Sequence, residues 1–144
     1  RVALAATVCP VRDDPTKDFL CLCVHFAIYN EGDKSDGEKG LKNVTIIEKM
    51  VEKIGMPAIL AGDLNSTIQD PEDTILGRLE LGGWDIQKGY KKLVTADSHG
   101  RPRKIDHICN RDSSGRGWQM KVQWTTRDKA SDHYPIIADA EWQD

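Results

Sequence analysis

The stretch ILAGDLNST contains two side chains that could take part in catalysis, Asp63 and Asn65. They follow an apolar run that ends at Ala61, and one residue separates them. A buried strand that ends in this way brings a carboxylate and an amide to one edge of a sheet, where they could hold a divalent cation or activate a water molecule. Glycine, aspartate and asparagine are also common turn formers, so the stretch alone more often marks an ordinary strand end.

Three further polar interruptions occur in apolar segments. His25 lies in FLCLCVHFAI, Asp106 lies between two isoleucines in KIDHI, and SDHYPI places Asp132 and His133 before the last apolar run. Each one alone is better explained as a hydrogen-bonded core histidine, a strand-end aspartate or a turn. Together, carboxylates, an amide and imidazoles at predicted strand ends form the set that metal-assisted attack on a phosphate ester requires. Carboxylate oxygens suit Mg²⁺ or Mn²⁺, and an imidazole works best when a carboxylate orients it.

The elements that must position these groups follow from hydrophobic periodicity. RVALAATV and FLCLCVHFAI predict two strands joined by a turn at DDP, and helical spacing of apolar residues over 41–54 predicts a helix that ends at Gly55. The polar segment 30–40 is predicted to be a loop, and DPED at 70–73 predicts the start of a short helix that ends near Gly82. RKIDHICN, WQMKVQWTT and YPIIADAEW predict three more strands. Strands joined partly by helices and partly by hairpins indicate an α/β fold with a mixed, mostly antiparallel sheet.

Composition and charge limit the classes of protein to which this chain could belong. The 144 residues are 39% hydrophobic and 30% charged, which is typical of one globular domain or a piece of one, and no apolar run is long enough to span a membrane. The net charge of −3 argues against a generally basic nucleic-acid binder but leaves room for a local basic patch.

Cysteine usage and glycosylation sequons bear on location. The four cysteines favour buried free thiols over a disulfide or a zinc site, and therefore a reducing compartment. Asn43 and Asn65 each begin an N-glycosylation sequon, and a glycan on Asn65 would fall on a predicted site residue. A cytoplasmic or nuclear location is therefore favoured over secretion.

The polar interruptions also resemble, in order, the motifs of the endonuclease/exonuclease/phosphatase superfamily, which includes deoxyribonuclease I-like nucleases. The matching segments are CVHF, GDLN, KIDHI and SDHYPI, and the resemblance extends over nearly the whole chain. It implies a sandwich of two sheets with helices outside them, and one cleft that binds a divalent metal ion, Mg²⁺ or Mn²⁺. It also implies a hydrolase that cleaves phosphate esters.

The resemblance implies a role for each matching residue. Asp132 is similar to the carboxylate near the metal ion, Asp63 to the group that activates the attacking water, and Asn65 to the amide that holds phosphoryl oxygens. Since the position of the metal varies within the family, the metal-binding and base roles could exchange between Asp63 and Asp132. Asn65 is expected to be a further metal ligand beside them.

The two histidines match phosphate-contacting groups. His133 is similar to the imidazole that contacts the scissile phosphate, and Asp106 to the carboxylate that orients it. His25 is similar to a second phosphate-contacting histidine, which some members use to protonate the leaving oxygen.

The resemblance is to the second half of the family's domain, which we take to be residues 1–144. In the family, the first half supplies an asparagine and the glutamate that is the main metal ligand. The expected partner is therefore an amino-terminal half of the same domain or a second copy of this chain. One apolar sheet face is expected to be exposed or shared with that partner, and we expect it to include four residues: Leu4, Leu22, Val24 and Phe26.

The substrate is suggested by basic residues in HGRPRK. Arg101, Arg103 and Lys104 precede Asp106 and could track the phosphates of a nucleic acid, or could belong to a solvated hairpin. A phosphodiesterase or nuclease acting on nucleic acid is the first hypothesis. The alternatives are a phosphoinositide or phospholipid phosphoesterase, and a catalytically inactive half-domain that serves as a subunit or interaction module.

Overall fold

A computed structural model describes residues 3–26, 34–67, 75–86, 93–98, 100–112, 117–125 and 130–143. Its described strands are, in chain order, β1 (Ala3–Val8), β2 (Phe19–His25), β3 (Ala58–Asp63), β4 (Asp85–Ile86), β5 (Ala96–Ser98), β6 (Arg101–Arg103), β7 (Asp106–Arg111), β8 (Gly117–Thr125) and β9 (Ile136–Gln143). Five of them form a sheet in the order β1-β2-β3-β7-β4, while β5–β6 and β8–β9 form two hairpins. β2 and β3 are parallel and the other pairs are antiparallel. The predicted α/β class with a mixed, mostly antiparallel sheet is confirmed.

Two described helices cover one face of this sheet. In α1 (Lys34–Ile54), Val44, Ile47 and Val51 are buried against the strands, and the helix ends before Gly55, whose φ of 71° is the left-handed conformation common after a helix. The shorter α2 (Ile75–Leu81) ends just before Gly82, as predicted. The predicted start of this helix at 70–73 lies outside the described residues.

The predicted loop over 30–40 is wrong from residue 34 onward, because α1 already begins at Lys34. Extending a packed helix by one turn adds about one hydrogen bond for each residue fixed, which outweighs the weak helix preference of this polar sequence. The glycine at position 40, within α1, is explained by close packing. A Cβ there would lie 2.7 Å from the Cδ1 of Ile75, so the glycine allows α2 to approach α1 closely.

The two faces of β2 differ from the expectation. Leu22, Val24 and Phe26 are almost completely buried in the core beneath the helices, so the prediction that they are exposed or shared is wrong. Leu4, in contrast, is 68% exposed, as expected. The reason is the alternation of side chains along a strand: the even-numbered residues of β2 face the helices, and the odd-numbered ones, such as Cys23, face the other side. We call this other side, opposite the helices, the open face.

The β8–β9 hairpin lies against one end of the open face. The rings of Phe19 and Trp118 are 5.6 Å apart in an edge-on contact. The indole N–H of Trp118 donates a hydrogen bond to the carbonyl of Lys17 at 2.9 Å, and the side-chain amide of Asn110 donates to the carbonyl of Trp118 at 3.1 Å. The hairpin thus begins a second layer over the sheet.

All four cysteines are free thiols, but their burial differs from the prediction. Cys109 is buried, which raises the pKa of its thiol to about 12, whereas Cys21 is half-buried. Cys9 and Cys23 are exposed, because the first lies beyond the end of β1 and the second lies on the open face. Among the described helices, none has the length and apolar character needed to cross a membrane.

Candidate active site

Three of the predicted site residues lie side by side at one edge of the sheet. In the strand register, His25 at the end of β2 is opposite Asp63 at the end of β3, and Asp63 is opposite Asp106 at the start of β7. Directly opposed residues of neighbouring strands point to the same face. The row His25–Asp63–Asp106 therefore presents two carboxylates and an imidazole from the open face.

The turn after β3 fixes Asp63 and Asn65 relative to each other. Gly62 has a φ of 140°, and a Cβ there would overlap the carbonyl oxygen of Val24, so a glycine is required directly before Asp63. The Oδ1 of Asp63 accepts a hydrogen bond from the backbone N–H of Asn65 at 2.8 Å. Asn65 has a φ of 49°, a left-handed conformation that asparagine tolerates better than most residues, and its Nδ2 donates to the carbonyl of Phe26 at 3.0 Å.

His133 enters the site from the segment before β9. Its Nδ1 lies 3.0 Å and 3.2 Å from the two carboxylate oxygens of Asp106, and its Nε2 lies 4.0 Å from the Oδ2 of Asp63. The same Oδ2 lies 3.5 Å from the Nε2 of His25. Both carboxylates are mostly buried, while the side chain of His25 is 61% exposed, so that a substrate could reach the imidazole.

Thr95 supports the Asp106–His133 pair and was not predicted. It is completely buried, and its hydroxyl oxygen accepts hydrogen bonds from the backbone N–H groups of Ile105 and Asp106, each at 3.0 Å. The carbonyl of Thr95 accepts from Tyr134 N–H at 2.7 Å, next to His133. A threonine before a short strand gives no sequence signal of this kind, because its partners come from two distant segments.

Burial dominates the electrostatics of Asp106. It raises the pKa of that carboxyl, and hydrogen bonds from Thr95 and His133 act in the opposite direction without cancelling the effect. An imidazole that donates to such a carboxylate is held in one ring orientation, with its Nε2 pointing towards Asp63. This arrangement suits an imidazole that binds or protonates an anionic substrate.

A possible metal-binding group is present among the described residues. One ligand atom each from Asp63, Asp106 and His133 lies within 4.8 Å of the others. Two carboxylates and an imidazole fit a divalent ion that prefers oxygen ligands. Asp132 is exposed and lies outside this group of three, so its role as a metal ligand stays a prediction, as does that of Asn65.

The three basic residues of the predicted phosphate-tracking segment differ in exposure. Arg101 and Arg103 are exposed on β6, whereas Lys104 is half-buried, and burial lowers the pKa of its ammonium group. Arg103 is opposite Ala96, and Ala96 is in turn opposite His133. Arg103 and His133 therefore belong to one cross-strand row.

Comparison with known proteins shows the fold. No protein-family model and no curated protein sequence matches the chain at a significant level. Among solved structures, a functionally unknown conserved protein from Enterococcus faecalis is 20% identical with a TM-score of 0.70, and the match covers 99% of this chain and 57% of that one. An endonuclease/exonuclease/phosphatase family protein from Bacteroides thetaiotaomicron is 18% identical with a TM-score of 0.55, over 89% of this chain and 52% of that one.

A third similar structure contains a metal ion. The beta toxin of Staphylococcus aureus, in a mutant form with bound magnesium ions, is 15% identical with a TM-score of 0.61, over 94% of this chain and 56% of that one. This chain therefore has the fold of endonuclease/exonuclease/phosphatase proteins, and the resemblance inferred from the motifs is confirmed at that level. It spans a little over half the length of these structures.

Proposed function

We propose that this chain supplies much of the active site of a divalent-metal-dependent phosphodiesterase that acts on nucleic acid. The observation that carries the proposal is the convergence of Asp63, Asp106 and His133, whose ligand atoms lie within 4.8 Å of one another at the ends of separate segments. Two carboxylates and an oriented imidazole are the groups that hydrolysis of a phosphate ester requires.

The geometry supports a division of roles. Asp63 would take a proton from an attacking water, and the closeness of its Oδ2 to both histidines, at 3.5 Å and 4.0 Å, supports this role. His133, oriented by Asp106, would bind a phosphoryl oxygen, and the exposed His25 would protonate the leaving oxygen. Asn65 would donate to the same phosphoryl group.

The carboxylates also fit a divalent ion. We propose that Asp63 holds Mg²⁺ or Mn²⁺ together with Asn65 and Asp132, and that Asp106 remains engaged with His133. A bound ion there would neutralise charge that builds up on the phosphoryl group. Magnesium in the similar beta toxin structure supports this choice of ion.

The basic strand β6 favours an extended, multiply charged substrate. Arg103 shares a cross-strand row with His133, with only Ala96 between them, and Arg101 lies two residues along the same strand. Two exposed guanidinium groups beside a phosphate site are suited to the next phosphates of a nucleic-acid backbone. A phosphoinositide or phospholipid, with its charge confined to a headgroup, would use fewer of these contacts.

The open face supports a partner. We propose that residues 1–144 form the second half of a two-sheet domain, and that an amino-terminal half or a second copy of the chain covers this face. Burial of apolar surface contributes about 25 cal/mol per Å², so covering exposed residues such as Leu4 favours association. A cytoplasmic or nuclear location agrees with the site, because a glycan on Asn65 would disrupt the hydrogen bond from its Nδ2 to Phe26.

Cleavage assays with magnesium test the proposal. The protein should cleave DNA or RNA faster than a phosphoinositide, lose activity in a chelator and recover it with magnesium. Arg103→Ser should raise KM for nucleic acid but not for a small phosphodiester, while Lys121→Ser, which removes an exposed charge from β8, serves as the matched control. Faster cleavage of the phosphoinositide would favour the lipid alternative, and no cleavage of any of these substrates would favour an inactive half-domain.

A further inference from the structure

A third histidine, His107, lies beside the site but on the opposite face of the sheet from it. It follows Asp106 in β7, is opposite Gly62 in the register, and is only 3% exposed. Its Nε2 lies 2.9 Å from the carbonyl oxygen of Ser66, so a neutral ring with its proton on Nε2 donates a hydrogen bond to that carbonyl. No role for this imidazole follows from the proposed chemistry, since the ring does not face the open side.

The contact with Ser66 connects two segments that carry the reacting groups. One is the end of β3 and the turn after it, which contain Asp63 and Asn65 and lead to Ser66. The other is the start of β7, which contains Asp106. Besides the ladder between β3 and β7, the Leu64 N–H donates a hydrogen bond to the carbonyl of Ile105 at 2.9 Å, which also links these two segments.

We propose that His107 is a positioning residue, whose ring N–H holds the carbonyl of Ser66 and thereby fixes the turn that carries Asn65, directly after Asp63, against the strand that carries Asp106. The role rests on the proposed function of the site. Displacement of this turn would move Asn65, whose backbone N–H holds the Oδ1 of Asp63, and displacements of about 1 Å are costly in catalysis.

An apolar side chain of similar size would fill the same space, so space filling alone does not explain why an imidazole is buried here. Burial of a polar ring is unfavourable unless the ring is hydrogen-bonded, and here the partner is the backbone carbonyl of Ser66, on the segment next to the site. Asn65 adds a further need for restraint, because its left-handed conformation is less favourable than an extended or helical one. A tether at the next residue, Ser66, opposes relaxation of that conformation.

Three variants separate positioning from simple space filling. His107→Met keeps the length and removes the donor. In His107→Gln the side-chain amide reaches the place of Nε2, and in His107→Asn it reaches only the place of Nδ1. Amide hydrogen exchange of Leu64 and Asn65 reports the tether directly, and exchange of Leu60 in the middle of β3 is the internal reference.

The expected result is local. In the Met and Asn variants, exchange at Leu64 and Asn65 should be about tenfold faster while exchange at Leu60 is unchanged, and Gln should restore the parent rates. kcat for phosphodiester hydrolysis should fall about tenfold in the Met and Asn variants with KM within about twofold, and Gln should restore it. If Met prevents folding, the comparison of Gln with Asn decides.

Other outcomes would overturn the proposal. Equal acceleration at Leu60 and Leu64 would indicate a general core role, and unchanged exchange in both the Met and Asn variants would show that no tether exists. Faster local exchange with unchanged kcat would refute positioning. If the parent protein hydrolyses no phosphodiester but the exchange pattern appears, the proposed function fails while the tether stands.

Discussion

Acidification should destabilise this protein through His107. Burial lowers the pKa of its imidazole from the usual 6.5 to about 4, and its ring is only 3% exposed. In the folded protein the ring therefore stays neutral as the pH falls from 6.5 towards 4, whereas in the unfolded chain it takes up a proton. Because the unfolded state binds more protons in this range, the free energy of unfolding decreases as the pH falls, and the contribution is fully retained above about pH 6.5.

The expected loss of stability follows from the pKa values of His107 in the unfolded and folded states. A pKa lowered from 6.5 to about 4 corresponds to about 3 kcal/mol of stability, of which about 2 kcal/mol should be lost between pH 7.5 and pH 5. Asp106 contributes with the opposite sign, since burial raises the pKa of its carboxyl and protonation relieves that cost. Asp106 is present in both the parent protein and a His107→Gln variant, so the difference between the two proteins isolates the histidine.

Urea unfolding at pH 7.5 and pH 5, at one fixed protein concentration, measures this difference. The parent should lose about 2 kcal/mol more than His107→Gln over this range, whatever constant difference in stability the substitution causes. Lys121→Gln, which removes an exposed charge from β8, is the control and should behave as the parent does. Equal losses in the parent and His107→Gln would refute the reasoning.

Three further predictions concern the site and the open face. Asp63→Asn and Asp132→Ala should each lower kcat about a hundredfold or more in phosphodiester cleavage assays, because each removes a charge that acts in the transition state. Alanine at Asp106 or at His133 should cost nearly as much as alanine at both, since the hydrogen-bonded pair acts as a unit. Light scattering should give a mass above the 16.1 kDa of one chain, because the open face, with Leu4 68% exposed, favours association.

Each of these three predictions has a control or an outcome that would contradict it. Glu141→Gln removes an exposed carboxylate from β9 and should leave kcat unchanged. Strictly additive losses in the two single and one double alanine variants would mean that the pair is not coupled. A monodisperse monomer of 16.1 kDa with a cooperative melt would show that the open face does not drive association.

The sheet and the row of site residues were predictable because their signals are local. His25 and Asp63 are the last residues of β2 and β3, and Asp106 is the first residue of β7, so each motif lies at one end of a strand. Since β2 and β3 are parallel and β7 is antiparallel to β3, these ends meet at one edge. The roles assigned to the residues remain predictions.

The orientation of β2 could not be predicted from its sequence. Its residues are apolar or nearly so on both sides, with Leu22 and Val24 on one side and Cys21 and Cys23 on the other. Periodicity therefore identifies a strand but not the side on which the helices lie. Packing of α1 decides that side, and this packing depends on contacts distant in the chain.

The roles of Thr95 and His107 were also not predicted, for a related reason. The hydroxyl of Thr95 and the ring of His107 are important because of backbone groups that only the folded sheet brings to them. A threonine or a histidine near a strand has no sequence pattern that reveals such a partner.

The most direct test of a metal-bound phosphate site is a manganese titration of the protein followed by the ring proton NMR signals of its histidines. Mn²⁺ bound at Asp63 should broaden the signals of His25 and His133 saturably, because both imidazoles lie within 4.0 Å of the Oδ2 of Asp63, and magnesium should reverse the broadening by competition. Asp63→Asn should weaken the effect strongly. Absence of saturable broadening in the parent, or equal broadening in Asp63→Asn, would contradict the account.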